Sequence, residues 1–374
     1  MAIVCTLPTY LWTVRVLHIA DVYLPKLGGI EKQVSRLVEI QRLRGNDVSV
    51  VTATHGPELE RVFRVTSRLA FGLPLNFSAK KQLEKLFAQT NPEVIHIHTG
   101  VFSQFSWLAH RVSNQMKIPT LVTVHSIWGP LAQKLYRSFL LSRFVDSNTL
   151  VSAVSETAAS KVRAVTRKEV AVTPNGVDLS HWQLAERTAH PETFRLVTAT
   201  RLAARKRVLP LLFVFRKLLK SVNAKDRKVE LHIAGTGISR RLLEVFVKLS
   251  GIGSQVVFHG RLDSKELYEL FQESDVFVQL SVREAFGLAA IEARATGLPV
   301  VGRSGNGFVE FITDGKDGYL VDSDEIALQK LIHLIENPAT LDELVANAKI
   351  RPGHGWDIAS AKVQYLYELL VSPK

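Results

Sequence analysis

Apolar and β-branched positions gather in short runs that alternate with longer stretches of helical period. "VRVLHIA", "DVSVVTA", "VIHIHTG", "TLVTVHS", "TLVSAVS" and "VAVTPNG" read as strands, most of them closed by small or polar residues. Between the first two, "GGIEKQVSRLVEIQRLRGN" sets Ile30, Val34, Leu37, Val38 and Leu43 at helical spacing and ends on Gly45 and Asn46. Strand, helix, strand is a βαβ unit, and its repetition predicts an α/β fold built on a parallel, doubly wound sheet. After the polar connector "NGVDLSHWQLAERTAHPETF" the alternation begins again. "RLVTATRL", "VELHIAG", "VVFHG", "VFVQLSV", "LPVVGRS" and "GYLVD" are the second set of strands, separated by helices such as "VLPLLFVFRKLL" and "SRRLLEVFVKLS".

The pattern therefore predicts two Rossmann-like domains, residues 1–185 and 186–355, with the boundary near residues 180 to 193. An amphipathic helix, "WDIASAKVQYLYELL", fills the remaining segment 356–374. Ligands of doubly wound sheets bind beyond the carboxyl ends of the strands, so the loops there are where chemistry is expected.

Composition changes this picture in three ways. A chain of 374 residues at 46% hydrophobic composition has material for two cores rather than one. Cys5 is the only cysteine, which excludes an intrachain disulfide and fits a reducing, cytoplasmic compartment. The apolar start "MAIVCTLPTYLWTVRVLHIA" lacks a basic leader and is interrupted by Pro8, so it does not read as a signal peptide, and no apolar run approaches the roughly 18 to 20 residues of a spanning helix. The net charge of +12 implies attraction to something acidic: nucleic acid, an anionic membrane surface or a phosphorylated substrate. Nucleic acid ranks last, because the chain has no zinc pattern, recognition-helix motif or stripe of basic and aromatic residues.

Most of the candidate chemistry lies in "REAFGLAAIEARATGLPVV". It follows the strand "DVFVQLSV", so "REAFG" is a turn and "LAAIEARATG" a helix ended by Gly297 and Pro299. Glu284 in the turn and Glu292 along the helix are too separated for a general acid and base pair. They suit two parts of one elongated ligand, with the free N–H groups near Phe286, Gly287 and Leu288 directed at an anion between them. Hydroxyls at both ends and phosphate in the middle describe a nucleotide sugar. The plainer reading makes Glu292 a solvated helix residue and Glu284 a residue that favours a helix N-terminus.

Arg201 and Lys206 follow the first strand of the second domain and bracket a turn, from which both can reach a diphosphate; surface charge on a loop is the alternative. Gly28 and Gly29 lie between a strand and a helix, where backbone N–H groups can approach phosphate or sugar oxygens, or simply form a tight turn. His125 ends the strand "TLVTV". His96 and His98 share a strand face at a spacing that suits a metal, but with no third ligand in view they read as strand-end polar residues. Gly235 and Gly237 in "AGTGISRR" make a partial G-x-G, which Arg240 prevents from completing a dinucleotide fingerprint. Arg261 and Leu262 follow the strand of "HGRLD". Asp322 and Asp324 form a D-x-D string that reads as helix capping, so no metal is expected.

Taken in order, these motifs resemble the retaining glycosyltransferases of family 4, the group 1 glycosyl transferases, whose GT-B fold sets two Rossmann-like domains face to face across a cleft. "YLPKLGGIEKQVSRL" resembles the family's glycine-rich loop, "HIHTG" and "VTVHS" its next strand ends, and "VTPNGVD" its end-of-domain loop. "TRLAARKRV" resembles its basic phosphate motif, the E-x7-E stretch its donor site, and "NGFVEFITDGKDGYLV" its closing segment. Three positions depart from the pattern: Thr200 and Arg207 stand where glycine is usual, and Asn306 replaces the first of two glycines before Glu310. Asparagine tolerates positive φ, so the last change is mild.

The resemblance implies an acceptor-binding first domain, a donor-binding second domain and a terminal helix that packs back on the first. It implies a retaining hexosyltransferase, with Glu284 on sugar hydroxyls, Glu292 on ribose, Arg201 and Lys206 on diphosphate, and His125 beside the reacting sugar. Gly28, Gly29 and Gly235 would line turns near the donor, and the nucleobase would lie at the level of Arg261 and Leu262. A GDP- or UDP-sugar is the implied donor, with no cofactor required, and a glycan or lipid-linked molecule the implied acceptor. A sugar-nucleotide epimerase or a glycan phosphorylase of similar fold is the alternative.

The acceptor domain is rich in basic residues: Arg61, Arg64, Arg68, Lys80, Lys81 and Lys85. From Gln133, "QKLYRSFLLSRFV" mixes Lys134, Arg137 and Arg143 with Leu135, Phe139, Leu140 and Phe144, a pattern that suits the anionic inner face of a plasma membrane. A packed helix with a basic outer face explains it more simply.

Overall fold

The computed structural model describes residues 13–26, 28–66, 78–139, 148–184, 192–222, 227–349 and 353–372. Cys5, Arg68, Leu140, Arg143 and Phe144 lie outside them, as do the side chains of Leu135 and Phe139. The chain divides into two compact units. The first comprises Met1–Val154, Ala159–Thr173 and Ala359–Lys374, and the second Ser155–Ala158 and Pro174–Ile358. The division thus falls at Thr173, and the last sixteen residues count with the N-terminal unit.

In the first unit the elements run β1 (Arg15–Ala20), α1 (Gly29–Leu43), β2 (Asp47–Thr52), β3 (Val62–Arg64), α2 (Ala79–Thr90), β4 (Val94–Thr99), α3 (Gln104–Gln115), β5 (Thr120–Val124), α4 (Pro130–Phe139), β6 (Thr149–Ala153), α5 (Glu156–Thr166) and β7 (Ala171–Val172). The sheet order is β3-β2-β1-β4-β5-β6-β7, with every pair parallel. Strands β4 and β5 are buried along their whole length, as expected of a sheet covered on both faces. "VAVTPNG" pairs for only two residues, and β3 is a short edge strand that the hydrophobic pattern does not signal.

Helix α1 buries Val34, Leu37, Val38 and Gln41. Leu43, expected on that face, is 79% exposed. The stripe of a helix continues from Leu37 and Val38 to position 41, whereas position 43 lies on another side. A polar residue therefore takes the last buried position, with consequences for the site below.

In the second unit the order is β8 (Thr193–Ala199), α6 (Val208–Ser221), β9 (Lys228–Ala234), α7 (Arg240–Leu249), β10 (Val256–Gly260), α8 (Ser264–Gln272), β11 (Val276–Gln279), α9 (Leu288–Ala295), β12 (Val300–Arg303), β13 (Gly318–Val321), α10 (Asp324–Glu336) and α11 (Pro338–Ala348). Helix α12 (Trp356–Val371) closes the chain. The second sheet is also parallel, ordered β10-β9-β8-β11-β12-β13. Its core gathers Phe194, Leu196, Leu231, Ile233 and Val276 from the strands with Leu211, Leu212, Phe215 and Leu218 from α6. In each sheet the order reverses beside the first strand, between β1 and β4 and between β8 and β11. That reversal is the switch point at which doubly wound sheets hold ligands.

Candidate functional site

Because all strands of the second sheet are parallel, the loops after β10, β9, β8 and β11 emerge side by side at one edge. They carry Arg261 and Leu262, Gly235, Arg201 and Lys206, and Glu284 with Phe286 and Gly287, in that order. Leu288 begins α9, and Glu292 lies one turn further along it.

At the switch point the Lys206 ammonium bonds the Glu284 carboxylate, two side chains only 14% and 15% exposed. Gln279 at the end of β11 donates to the same carboxylate oxygen at 3.0 Å. Lys206 closes a short 3-10 turn, Ala204–Lys206, and its carbonyl accepts from the Ser281 hydroxyl at 3.2 Å. The loop after β8 is thereby tied to the loop after β11. Arg201 and Arg205 are exposed. Of the adjacent Arg205, Lys206 and Arg207, Lys206 meets Glu284, while Arg207 bonds Asp324 at 2.6 Å. Arg207 has φ 57°, the left-handed conformation that glycine adopts freely, so the substituted glycine position keeps its backbone shape at some strain.

Gly235 has φ +130°, and a Cβ there would lie 1.9 Å from the Thr200 carbonyl oxygen. Gly287 has φ +94°, and its Cβ would lie 2.3 Å from the Phe308 ring. Both positions need glycine for backbone shape and for space. Gly287 is the N-cap of α9, where no side chain caps the first turn, so its N–H groups remain to be satisfied by other partners. The Phe286 ring is buried, 5.7 Å from Phe311 and 5.6 Å from His354 between centroids, so this residue offers the loop only its backbone. Arg294, 3% exposed, anchors the far end of α9 through Asp317 at 2.8 Å and the carbonyl of Ala348.

Two loop expectations are corrected. Asn306 does not use positive φ; it is extended, at φ −137°, and its side chain donates to Ser281 O at 2.9 Å and accepts from Phe308 N at 3.2 Å. Its amide bridges the two loops, a task glycine could not perform. Nor do Asp322 and Asp324 cap α10. Ser323 does, accepting from Ile326 N at 3.1 Å, and Asp324 is occupied by Arg207 and by Arg303 at 2.9 Å.

In the first unit, Gly28 is the N-cap of α1 and Gly29 its first residue, and no side chain caps this helix either. Gly28 is extended, at φ −145°. His125 follows β5, with its N–H bonded to Thr99 O at 2.8 Å. His96 and His98 are not strand-end polar residues. They are 1% and 3% exposed, and His18, in register with His96 on the neighbouring strand, joins them. The third histidine comes from β1 and could be found only from strand register.

The three rings bring one nitrogen each within 4.8 Å of one another, yet their nitrogens have other partners. His18 bonds Gln41 at 2.7 Å and His98 at 2.9 Å, and His98 bonds His125 at 3.0 Å. His96 bonds Tyr367 at 2.6 Å and Thr123 at 2.7 Å. Burial pushes His18 and His125 down to about 4 and holds His96 and His98 well below the ordinary histidine range. All four are neutral at pH 7.

Of the basic residues in this unit, Arg61 pairs with Asp47 at 2.7 Å, and Arg64 donates to the carbonyls of Thr54, Leu24 and Pro57. Helix α4 buries Ala132 and Tyr136, the latter stacked on Trp128 at 4.3 Å, and leaves Leu131 80% exposed. Among the described residues no helix is long and apolar enough to cross a membrane.

Comparison with known proteins agrees with this geometry. Residues 27–181 match the family described as Glycosyltransferase Family 4, and residues 182–351 match Glycosyl transferases group 1. The alpha-monoglucosyldiacylglycerol synthase of Acholeplasma laidlawii is 24% identical over 88% of this chain and 90% of its own. The phosphatidyl-myo-inositol mannosyltransferase of Mycobacterium tuberculosis is 24% identical over 91% and 93%. Both are named for glycosylation of lipids. Among solved structures, sucrose-phosphate synthase from Thermosynechococcus elongatus superposes with a TM-score of 0.78 at 20% identity, covering 95% of this chain and 98% of that one. HepE of Anabaena, in complex with UDP and glucose, superposes at 0.75 with 17% identity over 94% and 98%. With both halves matched and two parallel Rossmann-like sheets in order, this chain belongs to the group 1 glycosyltransferases, transferase enzymes of GT-B fold.

Proposed function

We propose that the protein moves a hexose from a nucleoside diphosphate to a lipid-linked acceptor, with retention at the anomeric carbon. The observation that carries the donor half is the Lys206–Glu284 pair at the switch point, beside the uncapped N-terminus of α9. A diphosphate there meets the Lys206 ammonium, the exposed Arg201 and the first N–H groups of α9, which together stabilise charge as the glycosidic bond breaks. Glu284, released from part of its hold on Lys206, accepts from sugar hydroxyls, and Glu292 accepts from the ribose. Gly235 keeps the neighbouring loop close, and the backbone at Arg261 and Leu262 borders the base. In the first unit, family resemblance assigns Gly28, Gly29 and His125 to the donor sugar. Retention rests on family resemblance alone. The departing phosphate then takes the acceptor proton on the face it leaves.

The acceptor half is supported by relatives named for glycosylation of lipids and by the net charge of +12. A cytoplasmic protein resting on an anionic membrane surface through its basic first domain would meet such an acceptor without spanning the bilayer.

Saturation-transfer NMR with UDP-glucose, UDP-GlcNAc and GDP-mannose tests the donor assignment, with the Glu292→Ala protein alongside. Selective binding of one donor, weakened about tenfold or more by the substitution, is the expected result. Equal binding by the variant would remove Glu292 from the site, and no binding of any donor would overturn the proposal.

A further inference from the structure

We propose that Gln41, His18 and His98 form a hydrogen-bonded relay that holds His125 in a single neutral tautomer, protonated at Nε2, with the Nδ1 lone pair left to accept a hydrogen bond. Gln41, His18 and His98 are positioning residues in this scheme, and only His125 is available to a ligand.

The direction of the relay follows from which atoms can donate. Gln41 Nε2 donates to the Tyr367 hydroxyl at 3.1 Å, so Oε1 is the atom that faces His18 Nε2 at 2.7 Å. A carboxamide oxygen only accepts, so His18 carries its proton on Nε2 and its Nδ1 is bare. That bare nitrogen accepts from His98 Nε2 at 2.9 Å. Nδ1 of His98 is bare in turn and accepts from His125 Nε2 at 3.0 Å. Each neutral ring has one donor and one acceptor, so the constraint passes from ring to ring without a gap.

The side branch agrees with this direction. The Tyr367 hydroxyl accepts from Gln41 and donates to His96 Nδ1 at 2.6 Å, which leaves His96 Nε2 to donate to Thr123 Oγ1 at 2.7 Å. Thr123 continues to Ser152 at 2.8 Å, which accepts from Thr173 at 3.0 Å. The polar row lies across β1, β4, β5 and β6 in register. Gln41 from α1 and Tyr367 from α12 cover it, so the C-terminal helix sets the orientation of the first amide.

A relay of this kind works only if the rings stay neutral. Burial keeps all four imidazoles uncharged at pH 7, and the charge of Arg42 adds to the depression of His18. The other titratable groups that face the relay are the neighbouring imidazoles and Tyr367, whose ionisation burial pushes upward. A metal held by His18, His96 and His98 would need three lone pairs directed at one point. His18 Nε2 and His96 Nε2 instead donate to Gln41 and Thr123, and His98 Nε2 donates to His18.

The consequence for transfer rests on the reading that His125 contacts the sugar. An acceptor at Nδ1 favours a sugar hydroxyl at that point and disfavours a carboxylate, whose lone pairs would oppose its own.

Nitrogen-15 NMR of histidine-labelled protein tests the relay, with His125→Gln to assign the His125 signals. At pH 7 the His125 ring is expected to show a protonated Nε2 and a bare Nδ1. A proton on Nδ1, or an imidazolium, would overturn the proposal. Gln41→Leu removes the acceptor that directs the relay, and the His125 nitrogens are expected to shift toward the average of both tautomers. If Gln41→Leu fails to fold, Tyr367→Phe frees the amide to rotate and is expected to shift them in the same sense. Unchanged His125 nitrogens in a folded variant would show that the relay does not direct the ring. The experiment uses no donor, so its failure leaves the donor-site proposal standing.

Discussion

Replacing Lys206 by methionine is expected to lower kcat/KM for glycosyl transfer by about 100- to 1,000-fold, the usual effect of removing one preorganised group that stabilises transition-state charge. The substitution keeps the aliphatic stem and removes only the ammonium. Glu284 keeps the Gln279 hydrogen bond at 3.0 Å, so the loop after β11 retains one of its two holds on the carboxylate. The loss should fall mainly on kcat, because leaving-group charge is greatest in the transition state. Steady-state kinetics beside a thermal melt separate this from misfolding. A folded variant with wild-type kcat/KM would place the diphosphate elsewhere.

Acidification is expected to destabilise the first unit more than the second, where His232 and His259 are depressed by burial but less deeply buried. His18 has an ordinary pKa near 6.5 when unfolded and one of about 4 when folded. Between these values the unfolded chain binds a proton that the folded chain refuses, so stability is complete above about pH 6.5 and is lost as the pH falls toward 4. At about pH 5 His18 alone costs on the order of 2 kcal/mol. His96, His98 and His125 are depressed in the same direction and act in the same window. The urea midpoint should therefore fall clearly between pH 7.5 and 5. Hydrogen exchange should locate the loss in β1, β4 and β5. A midpoint that does not move would mean the relay is protonated at little cost.

Much of the fold was legible because its signals are local. The runs "VRVLHIA" and "VIHIHTG" became β1 and β4, and Gly287 and Gly235 carry positive φ where the motifs end a strand. Two carboxylates, an arginine and a lysine could be singled out because their spacing relative to strands and helices is written along the chain. What stayed hidden depends on register and on side-chain orientation. Leu43 was expected on the apolar stripe of α1, but the helix phase buries Gln41 there and leaves Leu43 exposed. His18 meets His96 because β1 and β4 pair at that register, and Tyr367 reaches His96 from a helix more than 250 residues later in the sequence. Asn306 was read through its backbone tolerance, while its function in the loop is carried by its side-chain amide. Arg207 was one of three adjacent basic residues until Asp324 and Glu284 divided them.

The central claim is that a nucleoside diphosphate docks where the loops after β8 and β11 meet. Hydrogen exchange of the whole protein, measured with and without UDP and GDP, tests it most directly. One of the two nucleotides should slow exchange in residues 200–207 and 284–292, at the 3-10 turn of Lys206 and the first turns of α9. Protection confined to other segments, or none with either nucleotide at millimolar concentration, would contradict it.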